Sequence, residues 1–346
     1  MNELTNFCKT LKQDFKPKNI DPTKPARYWS EKDILNDDIV DAFVIIFKTR
    51  GCAWALESGC TMCGYFNDSM WRDVSDIDLL KQFDKAMEKY SGEKFVKIFT
   101  SGSFLDDNEV KPKIRTEILQ NLAEKADKIS IESRPEYVTD EKIKDIQSVI
   151  NSKILEISIG LETSNDKVRE YAINKGFTYS GYKKAAEVVK KNNCELKTYV
   201  LVKPPFLTEK EAIDDCINTV DKIKTLTDTI SFNPCNVQRN TAVEYLWKRK
   251  QYRPVWLWSV VEILKQSNKI AKNVRLKCDV AGGGSIRGTH NCKNCNHSFL
   301  DAIAGFSLNQ NPKVFESLEC DCKDKWFDQL DIEDLGFGSL VNLGGL

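Results

Sequence analysis

Histidine is almost absent: there are 2 in 346 residues. Ser-His-Asp hydrolases, haem proteins and multi-histidine metal enzymes all need it for ligation or proton transfer, so its scarcity argues against each. Charge of one sign is missing as well. The 51 Lys+Arg balance 51 Asp+Glu, which leaves no global field to hold an anionic polymer, and any nucleic-acid contact is expected to be local or shared with a partner. No stretch approaches the roughly 18 consecutive apolar residues of a membrane span. Met1 to Thr10 also lacks the basic start and apolar run of a signal peptide. The expectation is a cytoplasmic chain with no membrane partner.

Sulfur is what the sequence does have. Its 12 cysteines are too dilute for a disulfide scaffold, which runs above about 8% in a short secreted chain. In a reducing compartment, clustered cysteines more often bind metal or do chemistry. Cys8, Cys194, Cys216 and Cys235 are dispersed on helical or apolar stretches and read as small buried hydrophobes; Cys278 is less clear.

At about 150 residues per domain, the length suits two domains, or one large barrel with an appendage. Residues 1–38 are polar and interrupted by Lys16-Pro17-Lys18 and Thr23-Lys24-Pro25, which predicts an irregular or partly helical extension. Between 39 and 240, β-branched or apolar runs recur at Ala42–Phe47, Phe95–Thr100, Lys128–Ile131, Ile154–Ile159, Leu196–Val202 and Thr229–Phe232. Segments with helical spacing of apolar residues lie between them, at Ile77–Tyr90, Lys113–Ala126, Thr139–Ile150, Ser180–Asn192 and Glu209–Leu226. This alternation predicts parallel βα units, as an open doubly wound sheet or a partial six-stranded barrel. From 241 to 346 the pattern changes to a tryptophan-rich helix near Trp256–Ala271, then Gly282-Gly283-Gly284, then a cysteine-dense tail read as a separate small module.

Directly after the first strand of this series, Cys52, Cys60 and Cys63 are spaced Cys-x7-Cys-x2-Cys. Three thiolates on one loop can hold three irons of a [4Fe-4S] cube and leave the fourth open. A structural zinc loop borrowing a fourth ligand, or unligated buried cysteines, would carry the same spacing. In the tail, Cys292-x2-Cys295 presents two sulfurs to one ion, and Cys320 and Cys322 can complete the set. The two histidines, His290 and His297, flank the first pair, and His290 is a candidate ligand in place of one late cysteine. A four-cysteine zinc site, a three-cysteine-one-histidine zinc site and a second iron-sulfur cluster all remain open.

The first cysteine loop resembles that of the radical S-adenosylmethionine (SAM) enzymes, in the lengthened form of the Elongator-catalytic-subunit-like branch. Thr100-Ser101-Gly102-Ser103-Phe104 is similar to the Gly-rich stretch that binds the methionine amine there. Ile131-Glu132-Ser133-Arg134-Pro135 is similar to the branch's Glu-(Thr/Ser)-Arg-Pro motif, and Ile159-Gly160-Leu161-Glu162-Thr163 follows the next strand. More narrowly, Arg50-Gly51-Cys52-Ala53-Trp54, Cys60-Thr61-Met62-Cys63-Gly64-Tyr65, Asn174-Lys175-Gly176-Phe177-Thr178, Lys203-Pro204-Pro205-Phe206 and the tail resemble the archaeosine-biosynthesis radical SAM enzymes.

This resemblance implies a partial (β/α)6 TIM-type barrel with a small Cys-rich C-terminal metal-binding module. It implies a [4Fe-4S] cluster on Cys52, Cys60 and Cys63, with SAM held by Ser101, Gly102, Ser103, Glu132 and Tyr65. The substrate-side candidates are Arg134, Glu162, Lys175 and Lys203. The implied partners are archaeosine synthase (the lysine-transferring, tRNA-binding subunit), tRNA, and an electron donor such as ferredoxin or flavodoxin. The implied reaction breaks the lysine carbon-nitrogen bond of a lysine-adducted 7-cyano-7-deazaguanine in tRNA, leaving the amidine of archaeosine. Such chemistry asks little of histidine, because the cofactor performs the hard step.

Two other readings compete with it: another tRNA-modifying radical SAM reaction, of methylthio or carboxymethyl type, and a non-catalytic zinc-binding tRNA adaptor. Methylthio transferases carry extra N-terminal cysteines, and here only Cys8 precedes Cys52. Lys248-Arg249-Lys250, Lys190-Lys191 and the spaced Lys265, Lys269 and Lys272 read as solvated helix faces rather than an RNA footprint.

Overall fold

A computed structural model describes residues 3–13 and 20–334. Lys16-Pro17-Lys18 in the N-terminal extension and the last residues of the tail, 335–346, lie outside the described residues. Eight strands form one sheet in chain order: β1 (Arg27–Leu35), β2 (Asp38–Ile46), β3 (Phe95–Phe99), β4 (Lys128–Glu132), β5 (Ile154–Glu162), β6 (Glu195–Val202), β7 (Thr229–Pro234) and β8 (Arg275–Cys278). β1 runs antiparallel to β2, and every later neighbour is parallel. The six expected strands are β2 to β7. The helices between them start where the sequence offers a cap. Ser75, Thr139 and Thr178 each accept a backbone N–H in the first turn, and Thr208 with Glu211 closes a capping box.

Alternate residues along the strands face opposite ways. Phe43, Ile45, Val96, Ile98, Ile129, Ile131, Leu155, Ile157, Leu196 and Ile230 join the apolar core under the helices. From β3 onward the alternate positions include buried polar residues, Lys97, Ser130, Glu156, Ser158 and Lys197, and Lys277 joins them from β8. Lys128, at the start of β4, bridges Glu156 at 2.7 Å and Glu195 at 2.6 Å. Lys97 pairs with Glu31 and Asp33, and Lys277 lies 2.6 Å from Asp33. Lys277 is on the last strand and Asp33 on the first, so the sheet curls until its two edges meet across an ion pair. The open doubly wound alternative is thereby set aside in favour of the partial barrel.

Two expectations need correction. The segment 1–38 is not merely irregular or helical, because it supplies the edge strand β1. Nor does the tail stand apart: Trp256, Val260 and Leu264 share one continuous core with Ile213 and Val220 of the barrel helix Glu209–Ile223 and with Phe299, Phe306 and Trp326 of the tail. The change near residue 240 is a change of pattern without a break in packing.

Candidate metal and cofactor site

Parallel strands end at one edge, and the loops after β2 to β8 meet there. The loop after β2 carries the first cysteine set. Cys52 stands at the start of the short helix Ala53–Glu57. Cys60 and Cys63 follow on a turn closed by the Cys63 N–H on the Cys60 carbonyl. Thr61 pins this turn, its N–H and hydroxyl donating to the carbonyls of Ile173 and Ala172 at 2.9 and 2.7 Å. Asn174 donates to the carbonyl of Gly59 at 2.8 Å and to Ser58 Oγ at 2.9 Å, and Trp54 donates to the Asn174 carbonyl at 2.7 Å. The Trp54 ring lies against Gly176, where a Cβ would come within 2.8 Å of it and φ is +76°. Cys52, Cys60 and Cys63 are half-buried. Burial pushes the Cys60 thiol up, opposed by Lys175 and Arg134, and takes Cys63 up to about 12, with Cys60 adding to it. A metal bound here would take these thiols as thiolates, overriding the upward shift that burial gives them.

The stretch after β3 packs directly on this loop. A Cβ on Gly102 would lie 2.6 Å from Cys52 Cα and would run into Glu109 Oε2, so only glycine brings the two backbones this close. Ser103 is buried; its N–H donates to Glu109 Oε2 at 2.5 Å and its hydroxyl accepts the Arg134 N–H at 3.0 Å. Glu109 also accepts from the Thr49 hydroxyl at 2.5 Å, tying the β2 and β3 loops together. Burial pushes its carboxyl up to about 7. Ser101 lies on the same turn, half-buried.

Glu132 ends β4, and burial takes its carboxyl up to about 7 against a hydrogen bond from Tyr199. Tyr65 is 61% exposed at the mouth, within electrostatic reach of Cys63, Glu132 and Asp279. Arg134 is buried between Trp54 and Phe177, its guanidinium carbon 5.9 and 5.4 Å from the ring centroids; it bonds Glu136 at 2.5 Å and the Lys175 carbonyl at 3.0 Å. Burial lowers its pKa, but Glu136, Cys52 and Cys60 outweigh that and raise it.

Glu162 sits at a bulge between β5 and β6 with φ +70°, a conformation rare for a side chain of its size. Its carboxylate meets the Lys175 ammonium at 2.5 Å. Burial would lower the Lys175 pKa, yet Glu162 and Cys60 reverse the shift upward. Cys52, Cys60, Cys63, Tyr65, Ser101, Gly102, Ser103, Glu132, Arg134, Glu162 and Lys175 are therefore brought to one mouth. Lys203 is different, because its ammonium is held 2.6 Å from Glu209 with both side chains buried, and Glu209 also accepts from the Trp256 N–H and the Ser259 hydroxyl. It is neither a surface salt bridge nor a free substrate-facing cation.

In the tail, the sulfurs of Cys292, Cys295, Cys320 and Cys322 all lie within 4.8 Å of one another. Cys292 is 3.5 Å from Cys295 and from Cys320, and Cys295 is 3.6 Å from Cys322. Four sulfurs about 2.3 Å from one tetrahedral ion stand roughly 3.8 Å apart, so the set fits a single ion. Trp258 donates to the Cys322 sulfur at 3.4 Å, an outer hydrogen bond of the kind that orients metal ligands. His290 is outside the set: its Nδ1 lies 2.8 Å from the Gly288 carbonyl. His297 is 90% exposed beside Asp301. The histidine alternative is corrected to four cysteines. Cys8, Cys194, Cys216, Cys235 and Cys278 are all buried.

Sequence reasoning missed Glu109, Lys12, Gln238 and Tyr199. Gln238 accepts the Gly64 N–H at 2.5 Å, and Lys12 bonds the cysteine loop from the N-terminal helix Glu3–Gln13. Glu109, Lys12 and Gln238 stand in no motif, and Tyr199 is one residue of the Leu196–Val202 run with nothing in the sequence to single it out. Asn174 was signalled only as part of a longer resembling stretch.

Comparison with known proteins places this geometry. Residues 46–216 match the Radical SAM superfamily. The chain is 44% identical over 337 residues to archaeosine synthase subunit beta of Methanosarcina acetivorans, covering 96% of this chain and 97% of that protein. It is 38% identical over 306 residues to the protein of the same name from Thermococcus kodakarensis, covering 86% and 94%. Among solved structures, N-terminally truncated Elp3 of Methanocaldococcus infernus matches with a TM-score of 0.49 at 16% identity, over 64% of this chain and 57% of that one. Among the described residues, no helix is long and apolar enough to cross a membrane.

Proposed function

We propose, from the premise that this chain belongs to the archaeosine synthase subunit beta family within the radical SAM superfamily, that it is the carbon-nitrogen lyase of archaeosine formation in tRNA. Its substrate in this reading is the lysine adduct of 7-cyano-7-deazaguanine. The lysine carbon beside the linking nitrogen gives up a hydrogen atom and then one electron, which offsets the electron spent on SAM. Water adds to the carbon-nitrogen double bond so formed, and the side chain leaves as an aldehyde while the nitrogen stays behind as the amidine. The observation that carries the reading is the 44% identity to archaeosine synthase subunit beta over 96% of this chain and 97% of that protein.

The radical SAM family implies a [4Fe-4S] cluster and SAM, and the residues present fit both. Three half-buried thiols stand on one loop, and the Gly102 backbone lies against Cys52 where any side chain would intrude. When bound and reduced, cluster and SAM would supply the one-electron chemistry that activates the lysine carbon beside the linking nitrogen. The chain's own residues bind and orient. Cys52, Cys60 and Cys63 would ligate iron, and the Ser101-Gly102-Ser103 backbone would accept from the methionine amine. Glu132, held by Tyr199, receives the ribose hydroxyls, and Tyr65 offers its exposed ring to adenine. Arg134 and the Glu162–Lys175 pair line the substrate side. The Glu209 partnership leaves Lys203 a positioning role at most.

The four tail cysteines are read as a zinc site, on the spacing of their sulfurs. The expected partners are the lysine-transferring subunit, which would supply much of the grip on tRNA given the zero net charge, the tRNA itself and a ferredoxin or flavodoxin, all in the cytoplasm. The test is anaerobic incubation of iron-loaded protein with dithionite, SAM and adduct-bearing tRNA. Archaeosine and 5'-deoxyadenosine in equal amounts are expected; SAM cleavage with the adduct left intact would overturn the lyase reading.

A further inference from the structure

We propose that Lys12 of the N-terminal helix Glu3–Gln13 is a positioning residue for the cluster loop, and that its ammonium raises the reduction potential of the cluster held by Cys52, Cys60 and Cys63. The proposal rests on the cluster assignment above and not on the lyase reading. Lys12 Nζ donates to the Ala55 carbonyl at 2.9 Å and to the Ser58 carbonyl, both within the loop between Cys52 and Cys60. The ammonium also lies 4.9 Å from the centroid of Phe66, just past Cys63. A Cβ on Gly59 would run into Nζ.

The helix is seated by contacts independent of this lysine. The Thr5 hydroxyl donates to Asn174 Oδ1 at 2.9 Å, the Ser58 hydroxyl donates to the Thr5 carbonyl at 3.0 Å, and Phe7 meets Tyr245 edge-on at 5.0 Å. The helix therefore carries Lys12 into the loop as part of its docking. Among the described residues no carboxylate pairs with it; burial lowers its pKa, and Cys63, Cys60, Cys8 and Cys52 oppose that shift without reversing it.

The consequence is electrostatic. One-electron reduction adds a negative charge to the cluster, and a partly buried cation nearby stabilises that state more than the oxidised one. The same two hydrogen bonds hold the carbonyls of Ala55 and Ser58, and with them the approach of Cys60 to Cys52.

The experiment uses full-length protein reconstituted with iron and sulfide, without SAM or tRNA. Potentiometric titration is followed by visible absorption and by the electron paramagnetic resonance of the reduced cluster. K12Q is expected to lower the midpoint by about 59 mV, the one-electron equivalent of a tenfold change in the oxidised-to-reduced ratio; K12R should restore it. A K12Q midpoint equal to the wild type would overturn the proposal. Should K12Q fail to take up iron, loading is compared in K12R and K12M. Loading rescued by arginine and not by methionine supports the role, and equal loss in both overturns it. Because no substrate is present, failure of the lyase reading would leave these results unaffected.

Discussion

Replacing Gly102 with alanine tests how closely the turn after β3 and the cysteine loop after β2 are joined. The added Cβ would stand 2.6 Å from Cys52 Cα and 3.0 Å from Cys52 N, where ordinary contact begins at 3.4 Å, so about 0.8 Å of relief is needed. The nearest neighbours are backbone and a carboxylate held by Thr49 and Ser103, so the backbone has to move. Overpacking of this order costs roughly 1–3 kcal/mol, and displacing a reacting group by about 1 Å costs roughly 100-fold in rate. G102A is therefore expected to melt lower and to cleave SAM about 100-fold more slowly per bound cluster. Gly305, in the helix Asn296–Asn309, is the control, because an added methyl there would meet nothing within 4 Å. G305A should be neutral, or more stable by up to about 1 kcal/mol. The assays are thermal unfolding and 5'-deoxyadenosine release normalised to iron content. Wild-type melting and rate in iron-loaded G102A would refute the reasoning.

Other outcomes follow from the same geometry. C292S should lose the tail metal and lower the melting temperature, whereas H290A should retain a full complement of metal by elemental analysis. Glu109 ionises near 7 when folded against 4.5 ordinarily, so the folded protein holds its proton more tightly and stability falls as pH rises from about 4.5 through 7. The loss is of order 3 kcal/mol, and denaturant titrations between pH 5 and 7.5 should show a shallower slope in E109Q. K203M leaves the Glu209 carboxylate buried without its cation and should cost about 3–5 kcal/mol, read by denaturant unfolding; unchanged stability with lost turnover would instead make Lys203 a substrate contact.

The barrel was legible in the sequence where apolar periodicity carried it, and β2 to β7 fall where their β-branched runs predicted. β1 and β8 were not legible, because β1 (Arg27–Leu35) is mostly polar along its length and β8 (Arg275–Cys278) has only 4 residues, too few to show a period. The tail pair Cys292-x2-Cys295 stood out from its spacing, since a Cys-x2-Cys turn is local in sequence. The four-sulfur composition of the tail was not legible, because His290 is close in sequence and only the fold turns its ring to the Gly288 carbonyl. Lys12 and Glu109 were invisible for a related reason. Each acts through a long-range contact, and its own neighbourhood is ordinary polar sequence.

Isotope transfer from the lysine side chain tests the proposed lyase reaction. Adduct-bearing tRNA is prepared with lysine deuterated at the carbon beside the linking nitrogen and incubated anaerobically with iron-loaded protein, SAM and dithionite. Mass spectrometry of the nucleosides then follows the label. The account predicts one deuterium in each 5'-deoxyadenosine, matched by one archaeosine. Archaeosine formed alongside unlabelled 5'-deoxyadenosine would contradict it.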